Sequence, residues 1–343
     1  MKAAEQAHFD LIYWDRDGMP DVEIPSSIVH AFCFRDMLND EQPMQDKLGH
    51  FRRYRRFVLE ILKSGHYDRL IILHSTPGLT ILDYLLLHYR NAYILDYRDI
   101  SHENHSFYKR LIARLVCGSY ATFVSSDSFR TYLPIVPSIH TAHNLLPDAL
   151  EHREVRRKQE RWVPVIRIRF WGLIRHMEAN TNLIRLLGND ERFEIHYHGR
   201  DQGTGTALQQ LCKDEGVKNV FFHGEYSPKE RYLFASETDI IDNIYDNDIV
   251  IKNAVGNKYY DAIALYLPQL CLEGSYMAKL VNDKHLGVCI RFEDAQAADR
   301  IYSYYHELDW HQFEQSCDRE LLQIAGQNQE NAAVIHEFLA RNA

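Results

Sequence analysis

The feature that most constrains this chain is a series of twelve short apolar runs, six on each side of one charged segment. In the first half they are Leu11–Trp14, Ala31–Phe34, Leu70–His74, Tyr93–Tyr97, Thr122–Ser125 and Ile139–Ala142. In the second they are Val165–Trp171, Phe193–Tyr197, Val220–His223, Ile240–Ile244, Gln269–Leu272 and Val288–Phe292. Amphipathic stretches lie between them, in the first half over 44–63, 78–89, 104–117 and 126–132. Strand-length runs alternating with helical periodicity predict βαβ units around parallel sheets. The segment Glu151–Arg161 is dense in charge and reads as an exposed connection. After Asp294 the pattern is helical and polar. Residues 1–8 read as the tail of a helix whose preceding strand and glycine turn are not in the sequence.

A length of 343 residues, with 45% apolar and 25% charged residues, is enough for two globular domains, each with its own core. The reading is 1–148 for the first domain, 149–163 for a linker, 164–310 for the second domain and 311–343 for terminal helices. No apolar run approaches the roughly 18–20 residues that span a bilayer. The first residues lack the apolar core of a secretory signal, so the expected compartment is the cytoplasm. A net charge of −9 argues against nucleic acid as a partner. The cysteines (33, 117, 212, 271, 289 and 317) form no Cys-x-x-Cys pair, and most lie inside apolar runs, as free thiols in a core do.

The most informative stretch is Asn257-Lys258-Tyr259-Tyr260-Asp261-Ala262-Ile263-Ala264-Leu265-Tyr266-Leu267-Pro268. A polar turn enters a helix that stops at Pro268, before a strand. Lys258 and Asp261 sit near the helix start, where open α/β sheets bind ligands and helix amides receive phosphate. The plain alternative is an amphipathic helix with a solvated lysine. The second stretch is Phe170-Trp171-Gly172-Leu173-Ile174-Arg175-His176, a strand ending at a glycine with an arginine three residues on. Glycine permits close backbone approach and guanidinium grips phosphate, but a strand-to-helix turn has the same outline. Tyr197-His198-Gly199-Arg200 and Phe222-His223-Gly224-Glu225-Tyr226 also place a glycine after a strand. In the first half, Leu95-Asp96-Tyr97-Arg98-Asp99-Ile100-Ser101-His102-Glu103 gathers polar groups after a strand, with an internal Asp96–Arg98 ion pair as the simple reading.

These stretches resemble glycosyltransferase family 4, the group 1 enzymes, whose donor helix commonly reads N-K-x-x-E-A-x-A-x-x-x-P. The resemblance covers most of the chain and is dense from about 165 to 292. It implies the GT-B architecture, α/β with two Rossmann-like domains facing a cleft and C-terminal helices. It implies that Lys258 contacts a donor diphosphate and Asp261 accepts ribose hydroxyls, with Asn257 at the same helix start. Gly172 and Arg175 then approach the diphosphate, and His198, Gly199 and Tyr226 line the base pocket. The family's first glutamate, which touches the sugar, falls at Asn253. Arg98, Asp99 and Glu103 are the catalytic-side candidates, positioning an acceptor hydroxyl while the leaving diphosphate takes its proton. His143-Asn144 matches the turn that closes the family's first domain.

The implied activity is retaining transfer of a hexosyl unit from a nucleotide sugar, UDP favoured, to a glycan or lipid-linked acceptor in surface-polysaccharide synthesis, capsule included. No cofactor or metal is expected. The rival feature is Asp246-Asn247-Asp248, since a metal-dependent transferase holds its ion with Asp-x-Asp; a solvated loop is the favoured reading. Between Lys47 and Arg69 there are seven basic and two acidic residues. Phe51, Tyr54, Val58, Ile61 and Leu62 form an apolar stripe there, and Arg52, Arg53, Arg55 and Arg56 lie largely off it. Such a helix either packs on its own sheet or lies against anionic lipid at the inner face of a membrane. The alternative function is a non-catalytic sugar-nucleotide or glycan-binding partner of a transferase. An epimerase of the same shape is a weaker third.

Overall fold

The computed structural model describes residues 7–18, 23–38, 43–153, 162–246 and 248–341. All twelve apolar runs are strands, and every pairing among the described residues is parallel. Two compact units are formed, one by Met1–Ala142 with Asn328–Ala343 and the other by His143–Gln327. Most of the charged segment, residues 154–161, lies outside the described residues, as do residues 1–6 of the expected helix tail; Ala7 and His8 are not helical.

The first unit holds two sheets. One pairs β1 (Phe9–Asp15) with β2 (Ile28–Arg35), and the other orders β3 (Leu70–Leu73), β4 (Tyr93–Tyr97), β5 (Ala121–Val124) and β6 (Ile139–Thr141) side by side. β5 is buried throughout and β4 nearly so, as parallel strands covered on both faces are. The basic helix Met44–Ser64 buries Tyr54, Val58, Ile61 and Leu62 in the core. Tyr54 stacks on Trp14 with ring centres 4.9 Å apart. The apolar stripe is therefore packed inward rather than offered to lipid. Arg53 pairs with Asp36 at 2.7 Å and Arg55 with Asp83 at 2.8 Å, whereas Arg52 and Arg56 are exposed.

The expected helix over 78–89 is two helices, Ser75–Thr80 and Leu82–His88. Arg55 donates to the Thr80 carbonyl at 2.7 Å, and the Thr80 hydroxyl takes the Thr76 carbonyl at 2.8 Å. Both bonds compete with the helical ladder at the break. The stretch 126–132 is likewise a 3-10 turn over Asp127–Tyr132, opened by the Ser126 hydroxyl accepting from the Ser128 amide.

The second unit is one six-stranded sheet, with β7 (Ile166–Trp171), β8 (Phe193–His198), β9 (Val220–Gly224), β10 (Ile240–Asp242), β11 (Gln269–Leu272) and β12 (Gly287–Ile290). Their spatial order is β12-β11-β10-β7-β8-β9. The chain thus builds outward from β7 in one direction, then returns to build from β10 in the other. That reversal opens a crevice at the carboxyl ends of β7 and β10, where doubly wound sheets bind ligands. β10 stops at Asp242, two residues earlier than expected, because the Asp242 carboxylate accepts from the Ile244 amide at 2.8 Å. One face of the sheet packs Ile168, Phe170, Ile195 and Tyr197 against the helices Met177–Leu187, Thr204–Asp214 and Ala297–Glu307. The terminal helix Trp310–Ala340 buries Phe313, Cys317 and Ile324 with the second unit and Phe338 with the first. Among the described residues, no helix is long and apolar enough to cross a membrane.

Candidate functional site

The loops leaving β7, β8 and β9 run side by side. The Gly172 amide donates to the His198 carbonyl at 3.0 Å, and the Gly199 amide to the Gly224 carbonyl at 2.7 Å. Gly172 and Gly199 both have positive φ, 131° and 152°. A Cβ on Gly199 would lie 1.6 Å from the Gly172 carbonyl oxygen. Gly199→Ala is therefore expected to cost about 3 kcal/mol or more in chemical denaturation, from backbone collision and left-handed strain together; an unchanged midpoint would contradict this close approach.

Beyond these loops, the helix Asn257–Ala264 points its first turn at the β7–β10 crevice. Lys258 is 5% exposed, with Nζ 3.5 Å from the centre of the Phe170 ring and 4.7 Å from that of Tyr245. Asp261 is 6% exposed and accepts the Trp171 indole N–H at 2.9 Å. Asp242, on β10, is fully buried, and its second carboxylate oxygen has no hydrogen-bond partner. Burial pushes the Lys258 ammonium well below the usual lysine range, against the opposing pull of Asp242 and Asp261. Burial also raises both carboxyls, with Trp171 and Lys258 holding Asp261 back and Lys258 restraining Asp242. Lys258 is thus a cation held away from water, and an incoming anion would stabilise its charged form.

The remaining expected residues fall around this centre in different ways. Arg175 is exposed, and its charge acts on Lys258. Asn257 accepts from Asn144 at 3.2 Å, while His143 lies 3.2 Å from the Tyr260 hydroxyl, so His143-Asn144 braces the start of the helix Asn257–Ala264. Asn253 donates to its own helix at the Ile249 carbonyl, 2.7 Å away. Gly172, Tyr226, Arg200, Glu225 and Arg231 line an open depression of about 430 Å³. Arg231 is buried, with Nε lacking a hydrogen-bond partner.

His198 lies beside Trp171 on the adjacent strand and is buried. It stacks between His223 and Phe234, both with ring centres 4.1 Å away, and lies 3.0 Å from an Arg169 amino nitrogen. Its side chain is thus engaged within the sheet. Arg98, Asp99 and Glu103 belong to the first unit. Arg98 does form the ion pair with Asp96, at 2.8 Å, and Asp99 is exposed. Glu103 is buried and accepts from the Tyr97 hydroxyl and the Ser101 amide, both at 2.5 Å, so it holds the loop's shape.

Asp246 accepts from the Ala179 amide at 2.8 Å, and Asp248 accepts from the Val250 and Ile251 amides at 2.9 and 3.0 Å. Both carboxylates cap helices, as acidic side chains at helix starts do; Asn247 lies outside the described residues. Among the described residues, no group of three or more His, Cys, Asp or Glu is arranged to hold a metal ion. The sequence singled out neither Trp171, Tyr245 nor Asp242 as a site residue. Only Trp171, at the last position before a strand-end glycine, carried a local signal.

No protein-family model and no curated protein matches the sequence. Solved structures do match in shape. Sucrose-phosphate synthase from Thermosynechococcus elongatus superposes with a TM-score of 0.69 at 11% identity, over 97% of this chain and 90% of that one. Anabaena HepE, solved with UDP and glucose, gives 0.64 at 14% identity, over 96% and 100%. A glycosyltransferase from Rickettsia africae gives 0.62 at 14% identity, over 91% and 86%. The fold is GT-B. Within a GT-B protein, the switch-point unit with its buried Lys258 and Asp261 corresponds to the C-terminal Rossmann-like half.

Proposed function

We propose that this GT-B protein is a retaining glycosyltransferase that takes a hexosyl unit from a nucleoside diphosphate sugar. The observation that carries the proposal is the buried Lys258–Asp261 pair, one turn apart at a helix start beside the sheet's switch point. HepE, bound to UDP and glucose, supports UDP as the donor's nucleotide. In this reading Lys258 and Arg175 neutralise the diphosphate, and Asp261 receives the vicinal ribose hydroxyls. Tyr226 and the depression beside Gly172 take the base, and the crevice end near Asn253 takes the sugar. Arg98 and Asp99 position the acceptor, a glycan or lipid-linked saccharide of surface-polysaccharide synthesis, and Glu103 acts by holding their loop. The leaving diphosphate accepts the proton of the attacking hydroxyl, so no strong general base is required. Work at the inner face of a membrane would rest on the exposed Arg52 and Arg56.

The alternative, a sugar-nucleotide-binding partner without turnover, is favoured by Asn253, an amide tied to its own helix where the family carries a carboxylate. A thermal-shift titration with UDP, GDP, ADP and dTDP, with and without EDTA, tests the reading. A nucleotide at 100-fold its Kd stabilises the fold by about 2.7 kcal/mol. The expected result is a shift with UDP that survives EDTA, together with release of UDP from a UDP-hexose when acceptor is supplied. Binding without any release, across acceptors, would favour the partner reading. No shift with any nucleotide would remove both.

A further inference from the structure

The first unit carries a surface that the donor site does not use. The helix Ser106–Gly118 follows directly on the loop of Arg98 and Asp99. It buries Ile112, Leu115 and Val116, with Leu115 set against Gly78 of the helix Ser75–Thr80. On its outer side Phe107, Arg110, Arg114 and Cys117 recur at i, i+3, i+7 and i+10, so they share one face, and all are exposed. Lys109 is exposed to one side of them. Phe107 is 71% exposed, a large ring left in water. The helix has three basic residues and no acidic one, in a chain of net charge −9. Among the described residues, no acidic side chain pairs with Lys109, Arg110 or Arg114. The helix Met44–Ser64 differs, because its Arg53 and Arg55 are held by Asp36 and Asp83.

The surface continues past the helix end. The Asn91 amide donates to the Gly118 carbonyl at 2.8 Å, and Arg90 and Cys117 both act on the Tyr93 hydroxyl. Here Leu87 is 76% exposed, with His88 and Arg90 exposed after it. Cations alone would suit any polyanion. Cations beside exposed Phe107 and Leu87 suit a surface with an apolar layer beneath its negative charges, which is an anionic bilayer.

We propose that the helix Ser106–Gly118 docks this protein on an anionic lipid bilayer, with Phe107 at the headgroup boundary and Lys109, Arg110 and Arg114 on lipid phosphates. Its purpose rests on the lipid-linked-acceptor reading: the loop of Arg98 and Asp99 leads into this helix, so docking holds that loop at the membrane surface. The contact is independent of Arg52 and Arg56.

The test is co-flotation of the whole chain with vesicles of phosphatidylcholine alone or of phosphatidylcholine and phosphatidylglycerol in equal parts. The wild type is expected to float with the mixed vesicles only, and to be released by high salt. Arg110→Gln with Arg114→Gln is expected to weaken partition about 25-fold, at about fivefold for each cation. Phe107→Ala is expected to weaken it about tenfold. Arg52→Gln with Arg56→Gln should float as the wild type does. A wild type that ignores phosphatidylglycerol, or helix variants that float undiminished, would overturn the docking role. So would an oligonucleotide held by the same arginines when vesicles are not. The UDP thermal shift is read on the same proteins and is expected to be equal in all. A wild type that floats yet binds no nucleotide would remove the donor reading and leave the docking surface standing.

Discussion

Lys258→Met is expected to weaken nucleotide binding by at least about 100-fold, or about 2.7 kcal/mol, while leaving the fold as stable as before or more so. The two effects have opposite signs for one reason. Lys258 is held between the Phe170 and Tyr245 rings, out of water, and its pKa is lowered by that burial. A lysine with a lowered folded pKa binds its proton more tightly in the unfolded chain, so at neutral pH the ionised form subtracts from stability. Methionine fills the same space, makes favourable contacts with both rings and removes the desolvation cost. Asp242, already raised by burial, is then left neutral rather than as a bare charge. Calorimetric binding and urea denaturation on the same preparation check this. Wild-type affinity in the variant would refute the site; a large loss of stability would mean that Lys258 holds the fold rather than a ligand.

A steep loss of stability in mild acid is the second expected result. Arg169, His196, His198 and His223 share one face of β7, β8 and β9. His196 Nδ1 is 3.0 Å from His223 Nε2, and His198 is stacked on His223. Burial, then the neighbouring cations, pushes His196 and His198 down to about 3 and also lowers His223. In the unfolded chain these imidazoles titrate near 6.5, so between that value and about 3 the unfolded state binds more protons. Stability is therefore full above about pH 6.5 and falls as pH is lowered through that window. A loss on the order of 5 kcal/mol between pH 7 and pH 4.5 is expected from the pair, each imidazole contributing about 1.4 kcal/mol per pH unit below 6.5. His196→Phe, which keeps the stacking surface against Phe221, should flatten the profile by about one proton's worth of slope. Parallel profiles for variant and wild type would show that the acid sensitivity lies elsewhere.

How much of this was legible in the sequence depends on whether a feature is local. A strand-length apolar run is a local feature, so all twelve were recognisable, and the helix start with Lys258 and Asp261 was marked by its own turn and by Pro268. The break at Ile81 was not readable, because Arg55, far upstream, takes the Thr80 carbonyl. Nor was the burial of His198, since its partners Arg169, His223 and Phe234 lie outside its own motif. The sequence by itself determined two sets of parallel strands and a cationic helix start after β10. Only the tertiary structure decided that β10 returns to lie beside β7, which pairs Ile240 with Ile168 across more than seventy residues. That one pairing brings Trp171 to Asp261, Asp246 to His176 and Phe170 to Lys258. No local propensity encodes those meetings, because they follow from the order of strands in the sheet.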